Sequence, residues 1–430
     1  MNQRALSLLL PAMIAPWILL IAAWKSASQR DRHWLLTLFF TIYGATISIA
    51  YDPLGLGADG VRHLLKVYVH YVGLSLEQFL SELWLILTFR PAETTNEDVF
   101  IHVVSYLTGG VLGEPRLFFP AVATVYGYFF AGSMLEVFKN SASGRRTYVF
   151  IAFGTLFFLI MNVAGVNKVS MWTAMWILVY ACLKYHSTKN FKYLILMFVP
   201  PLVHVSYFLL AVPAWLVLVL GNWSAIYAAL FIVSSFTTFF EPTAVIDVLS
   251  TTELGEAKVQ GYYVEEWLDQ REAGHRIWRW LQLLGVQRWA LTVLIVTLLL
   301  TGVYRVSMNR FQKTLFSIGL LTLALSNASW YFWAVYTRGW IVGCVFVLAA
   351  FLLVQQHPTA SRIPWSHPVY KPGLYISLFL FVPFFVYNLS VLIDFPSVFL
   401  VGLPFLALLT PEANMSIKDF AQLILDALFG

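Results

Sequence analysis

Long apolar runs separated by short polar stretches recur along the chain from one end to the other. Crossing a ~30 Å hydrocarbon core by α-helix takes about 20 mostly apolar residues. The runs predict spans near 5–24, 34–50, 117–138, 147–163, 168–183, 193–208, 207–221, 223–240, 288–304, 314–334, 340–355 and 373–393, with a further run over 397–410. The expectation is an all-α polytopic membrane protein of about 12–13 transmembrane helices, with residues 1–430 forming a single bundle. Aromatic residues gather at the ends of the runs, where they suit the membrane–water interface. Residues 193–240 are hard to divide. Pro200, Pro201 and Pro213 fall inside them, and neighbouring helices must satisfy the backbone groups that proline frees.

The polar positions predict an orientation. Lys25, Arg30 and Arg32, then Lys139, Arg145 and Arg146, then Lys184, Lys189 and Lys192, then Arg305, Arg310 and Lys313, and finally Arg362 and Lys371 all fall on one side if the spans alternate. Basic residues in short loops mark the cytoplasmic side, which puts the amino terminus outside despite Arg4. Two long segments, 51–116 and 241–287, then face outward and hold most of the acidic residues. The first contains LSLEQFLSELWLILTF, opened by Ser75 and Gln78 at capping-box spacing. It is too short to span and predicts a helix lying in the interface or re-entrant. The second, with Trp267, Trp278 and Trp280 among charges, predicts another interfacial helix. Two elaborate outer loops point to chemistry at the outer face.

Composition excludes a soluble fold. Charged residues make up 11% and hydrophobic residues 59%, against about 25% charge in soluble domains. The net charge of +5 comes without a dense basic stripe, so no nucleic-acid partner is expected. Cys182 and Cys344 fall within spans and are expected to be free, buried thiols. The first apolar run lacks a small-residue cleavage site before Lys25 and reads as a retained helix.

Three stretches resemble the EpsG family of Wzy-type polysaccharide polymerases. GLGADGVRHLLKVY carries Asp59, which resembles an aspartate early in that family's outer loop; NEDVFIHVVSYL and AVATVYGYFFAGSMLEVF look like the helices that follow. AGVNKVSMWTAMWILVYACLKY resembles a segment in which a basic residue, commonly arginine, precedes a helix; here it is Lys168. LVHVSYFLLAVP, with His204 and Ser206, resembles a His-x-Ser element, and YTRGW around Arg338 is a weaker echo. The resemblance covers roughly 45–215 and implies a GT-C-like, metal-independent inverting glycosyltransferase without a cofactor. Its donor and acceptor would be polyprenyl-diphosphate-linked oligosaccharides at the outer face of a bacterial cytoplasmic (inner) membrane. Beyond membrane lipids, the implied partners are a chain-length regulator and export machinery.

That reaction needs a base for the acceptor hydroxyl and stabilisation of the departing diphosphate. Lys168 and Arg338 sit in very short outer connections, where basic residues are disfavoured, and are the candidate diphosphate ligands; the competing reading is side chains reaching up to lipid headgroups. Arg62 is a further candidate phosphate contact, although for it and for Arg90 the headgroup reading is favoured. Asp59, between Gly57 and Gly60 in what reads as a flexible turn, and His204, at the mouth of an apolar helix, are alternative bases. Glu97 with Asp98 is a candidate second acidic site, although the reading as solvated loop carboxylates is favoured, and His63, His70 and His102 match no metal-site spacing. The rival functions are another outer-face GT-C-like transferase, an O-antigen ligase, or a transporter. A transporter should show pseudo-symmetric halves, and none is evident.

Overall fold

The computed structural model describes residues 8–26, 28–47, 59–90, 98–139, 148–160, 163–236, 286–329, 332–356, 365–410 and 415–429. Among them the fold is helical, with one isolated bridge between Ser397 and Ser416. Pro115–Val137, Tyr148–Lys168, Ala334–Gln356 and Tyr370–Asp394 are long and apolar enough to cross a membrane; Val99–Val111, Phe191–Val203, Tyr207–Leu220, Ser224–Ser234 and Val286–Leu300 are apolar but shorter. The protein is thus a helical membrane protein, with fewer full-length spans among the described residues than the apolar runs predict.

The core is organised around Ser170–Thr188, in which every residue from Ser170 to Leu183 is buried. A helix enclosed on all faces needs no amphipathic stripe, which is why this segment reads as uniformly apolar. Phe118–Val137 packs against both this helix and Gln29–Thr46, and Arg310–Ala328 lies along Trp333–Gln356. In that last pair the backbones touch through glycine. A Cβ on Gly343 would fall 2.7 Å from Leu323 Cγ, and one on Gly319 would fall 2.7 Å from Val347 Cγ2. Small residues permit this approach where lipid supplies no hydrophobic driving force between helices. The perimeter is apolar: Tyr148, Phe379, Tyr375 and Val382 are all exposed. A soluble protein would bury such residues or cover them with a partner.

Proline shapes two of the places where the expected spans are interrupted among the described residues. Pro16 divides the first run into Leu9–Ile14 and Trp17–Lys25. The Ile14 carbonyl is satisfied from outside by the amide of Leu403 at 2.7 Å. Residues 193–221 fall into Phe191–Leu196, Pro200–Val203, Tyr207–Leu210 and Val212–Leu220, as Pro200, Pro201 and Pro213 lead one to expect. The run at 397–410 is not a span, contrary to expectation. It holds a 3-10 turn at Val398–Leu400 and a short helix at Leu406–Leu409. Between them Leu403 has a left-handed backbone (φ 58°) followed by Pro404, which ends any continuous helix.

In the first long segment expected to face outward, the described residues are largely helical. Ser75 and Gln78 form the expected capping box of Leu76–Leu87. That helix buries Phe79, Glu82 and Ile86 and exposes an apolar stripe of Leu76, Leu80, Trp84 and Leu87. Asp59–Lys66 continues as a π-helical turn over Val67–Tyr71, which packs on a second such turn at Tyr106–Val111. The interfacial helix expected within 241–287, Glu97, Gly57 and the basic residues Arg145, Arg146 and Arg362 lie outside the described residues.

Polar contacts sort the helix ends into two groups. At one end Lys184 pairs with Glu136, Gln356 Nε2 donates to the Val137 carbonyl at 2.7 Å, and Asn222 Nδ2 donates to the Arg310 carbonyl at 3.1 Å. At the other, Arg288 donates to the Ser235 carbonyl at 3.0 Å, and Asn327 links Ser234, Ser235 and Trp340. Each end contains only ends that alternation of the sequence-derived spans assigns to one side.

Candidate functional site

The second end also carries the candidate residues. The break between Pro200–Val203 and Tyr207–Leu210 leaves His204 in an extended conformation (φ −150°, ψ 124°) rather than inside a helix. Broken helices at membrane depth are tolerated only where protein or an aqueous cavity lines them. The His204 side chain is 13% exposed, enough to reach the surface while being held by protein.

What holds it is Asp98, which overturns the reading of this residue as a solvated loop carboxylate. Its side chain is 7% exposed. His204 Nδ1 lies 2.8 Å from Asp98 Oδ2 and 3.0 Å from Oδ1. The Val205 amide donates to Oδ1 at 3.0 Å, and the Ser170 hydroxyl donates to Oδ2 at 2.7 Å. Burial alone would raise the Asp98 carboxyl, but the neighbouring His204 and these hydrogen bonds outweigh it and keep the carboxyl below its ordinary value. An ionised carboxylate only accepts, so His204 Nδ1 must carry the shared proton. Asp98 is also the residue before Val99–Ser105, where an aspartate ordinarily caps its own helix, yet it makes no such bond. Its carboxylate is turned into the site instead.

On the far side of the imidazole, Arg338 Nη1 lies 3.4 Å from His204 Nε2. Arg338 comes from the first turns of Trp333–Gln356. Lys168 closes the 3-10 turn Val163–Lys168, is exposed, and stands 5.8 Å from the centre of the Trp172 ring. Asp59 and Arg338 are both close enough for their charges to act on Lys168. Between Lys168 and Ser170, Val169 adopts φ 42° and ψ −84°. A β-branched residue with positive φ is a true backbone outlier, held only where the surroundings over-determine it. Here it lies between two residues of the site.

Asp59 is not in a flexible turn, as expected, but opens the helix Asp59–Lys66. The buried amide of Gly60 donates to Asn167 Oδ1 at 3.2 Å, which ties this helix to the turn carrying Lys168. A Cβ at position 60 would fall 2.8 Å from Phe119 Cζ and still closer to Asn167, so only glycine allows this approach. Arg62 differs from its candidate role. Its guanidinium pairs with Asp59 one helical turn away, on an exposed face, rather than joining the cations at His204.

The remaining histidines separate. His102 is fully satisfied by the Tyr71 hydroxyl (2.7 Å to Nδ1) and the Phe79 carbonyl (3.0 Å to Nε2), and it stacks on Phe79. It is structural. His63 is within charge range of Asp59 and Asp98, and burial, helped by Lys66, pushes its imidazole down to about 4. Its Nδ1 is buried without a hydrogen-bond partner, as is the Tyr207 hydroxyl within charge range of Arg338. Buried unsatisfied polar atoms are uncommon, and a ligand or water is the usual explanation. Among the described residues no group of three His, Cys, Asp or Glu side chains gathers as a metal site. Cys182 and Cys344 are free and buried.

The sequence does not show that Asp98 pairs with His204, nor does it single out Ser170 or Tyr207. An acidic residue ahead of an apolar helix reads as an ordinary cap, and nothing local announces a partner 106 positions later. The visible clue was the proline-broken run around His204, since a bent backbone needs side chains to satisfy it. No protein-family model, curated protein or solved structure matches the chain.

Proposed function

We propose that the protein is a glycosyltransferase that polymerises polyprenyl-diphosphate-linked oligosaccharide repeat units at the outer face of a bacterial cytoplasmic membrane. The observation that carries this reading is convergence. Asp59, Lys168, His204 and Arg338 are far apart in sequence and meet at one end of a helical membrane bundle. A guanidinium beside an imidazole, with a second cation within range of its charge, suits the transfer of a sugar from a diphosphate.

In this reading the acceptor hydroxyl attacks the anomeric carbon of the donor. Its proton passes to His204 Nε2 as the new glycosidic bond forms. The bond between the anomeric carbon and the diphosphate oxygen breaks, and the electron pair leaves with polyprenyl diphosphate. Lys168 supplies a point charge and Arg338 a planar fork for the diphosphate, stabilising charge that grows in the transition state. Asp59 lies too near Lys168 to be ignored, and its part is to help orient that cation. His204 is preferred over Asp59 as the base because Asp59 already pairs with Arg62.

The test is reconstitution. Purified protein in lipid, given lipid-linked repeat units and excess chelator without nucleotide sugar, is expected to produce a ladder of polymers. A ladder abolished by chelator and restored by a divalent cation would contradict the metal-free reaction. No product under either condition would contradict the polymerase reading itself.

A further inference from the structure

We infer that Asp98 is a positioning residue that fixes His204 in the tautomer with Nδ1 protonated, leaving the Nε2 lone pair facing Arg338 and the reacting hydroxyl. The inference rests on the polymerase reading for its reaction, but the geometry is independent of it.

Both carboxylate oxygens are occupied. Oδ1 receives the Val205 amide and Oδ2 the Ser170 hydroxyl, while both lie within 3.0 Å of His204 Nδ1. With three donors directed at its lone pairs and a side chain only 7% exposed, Asp98 is poorly placed to be the base itself. It can set which imidazole nitrogen holds the proton and how the ring is turned. The three donors come from two stretches: His204 and Val205 from the helix break, and Ser170 from the start of the central helix. Holding the carboxylate in this way uses an aspartate that would otherwise cap its own helix, together with a strained backbone at Val169. Local cost at a buried site is what a preorganised functional couple is expected to show.

The charged and titratable groups around the ring are Arg338 on Nε2, Lys168 beyond it, and His63 and Asp59 from the neighbouring helix. None of these accepts a proton bond from Nδ1; Asp98 does. With the Arg338 guanidinium turned from Nε2 to the donor's diphosphate, His204 takes the acceptor's proton at Nε2, and the resulting imidazolium is stabilised by Asp98, which remains ionised. Atoms and charge balance without any further reactant.

The experiment combines a spectroscopic and a kinetic readout on the full-length protein in lipid. The chain has nine histidines, so 15N-histidine spectra of the wild type and His204→Gln assign the His204 signals by difference. Spectra are taken at the alkaline end of a titration, where the ring is uncharged. The expected result is a wild-type signal protonated at Nδ1 that moves toward the Nε2-protonated form in Asp98→Asn. Turnover of Asp98→Asn is expected to fall by roughly two to four powers of ten, as when an imidazole base is left in the wrong tautomer, with KM changed by no more than about threefold. Ser170→Ala should keep the wild-type tautomer and lose about tenfold. A wild-type His204 protonated at Nε2, or an Asp98→Asn protein that turns over normally, overturns the inference. Should Asp98→Asn not fold, the wild-type spectrum and Ser170→Ala still decide it. The spectra read the couple even if no polymer forms, so failure of the reaction and failure of the couple remain distinguishable.

Discussion

At the level of single residues, the cations were legible because they break a rule. Lys168 and Arg338 oppose the charge bias expected of short outer connections; the structure sets Arg338 in the first turns of a helix, 3.4 Å from His204 Nε2, with Lys168 within range of its charge. Asp98 was not legible, because its meaning lies wholly in a partner distant in sequence. Arg62, for which the headgroup reading is favoured over a phosphate contact, pairs with Asp59 one helical turn away. An exposed pair of this kind contributes about 0–1 kcal/mol. Arg62→Ala is therefore expected to leave turnover within about threefold of wild type and thermal stability nearly unchanged; a loss of several powers of ten in the polymerisation assay would return Arg62 to the diphosphate. His204 and Arg338 touch, so their substitutions should not add. His204→Gln combined with Arg338→Ala is expected to be about as slow as the slower single variant. Strict multiplication of the two effects would show that they act separately.

Among the elements, the clearest sequence signal was the capping box at Ser75 and Gln78, a short-range pattern with its own hydrogen-bond logic. The π-helical turns at Val67–Tyr71 and Tyr106–Val111 left no such signal. They depend on close packing of one against the other, where a Cβ on Gly109 would come 2.9 Å from Val67. The failure at 397–410 has a similar cause. Hydropathy registers apolar residues there but not that Leu403 must bond back to Ile14. For Leu76–Leu87 the exposed stripe makes a sharp expectation. A nitroxide at Leu80 should be relaxed by oxygen dissolved in lipid, and one at Ser81 by a water-soluble nickel complex. Equal exposure of both labels to the aqueous relaxant would place the helix off the membrane surface.

For the molecule as a whole, alternation of apolar and basic stretches foretold a membrane bundle, and the contacts at its two ends agree with that alternation. Which end faces outward rests on the charge pattern alone. Cys182 and Cys344 are buried, so the native background to cysteine labelling is low. An impermeant thiol reagent on intact cells is expected to modify Glu256→Cys and spare Arg145→Cys, and the reverse pattern would invert the orientation. The central claim is that Lys168 and Arg338 hold the departing diphosphate. It is tested most directly by the turnover of Lys168→Ala and Arg338→Ala on lipid-linked repeat units, with folding checked by detergent stability. Losing one partner of an ionic contact in a water-excluded complex costs about 3–5 kcal/mol, equivalent to roughly two to four powers of ten in rate. Lys168→Arg should retain much of the activity, while Arg338→Lys should lose more because it removes the planar fork. Losses of that size in well-folded alanine variants are the expected result. Polymerisation near the wild-type rate by either variant would contradict the account and leave the cations as headgroup anchors.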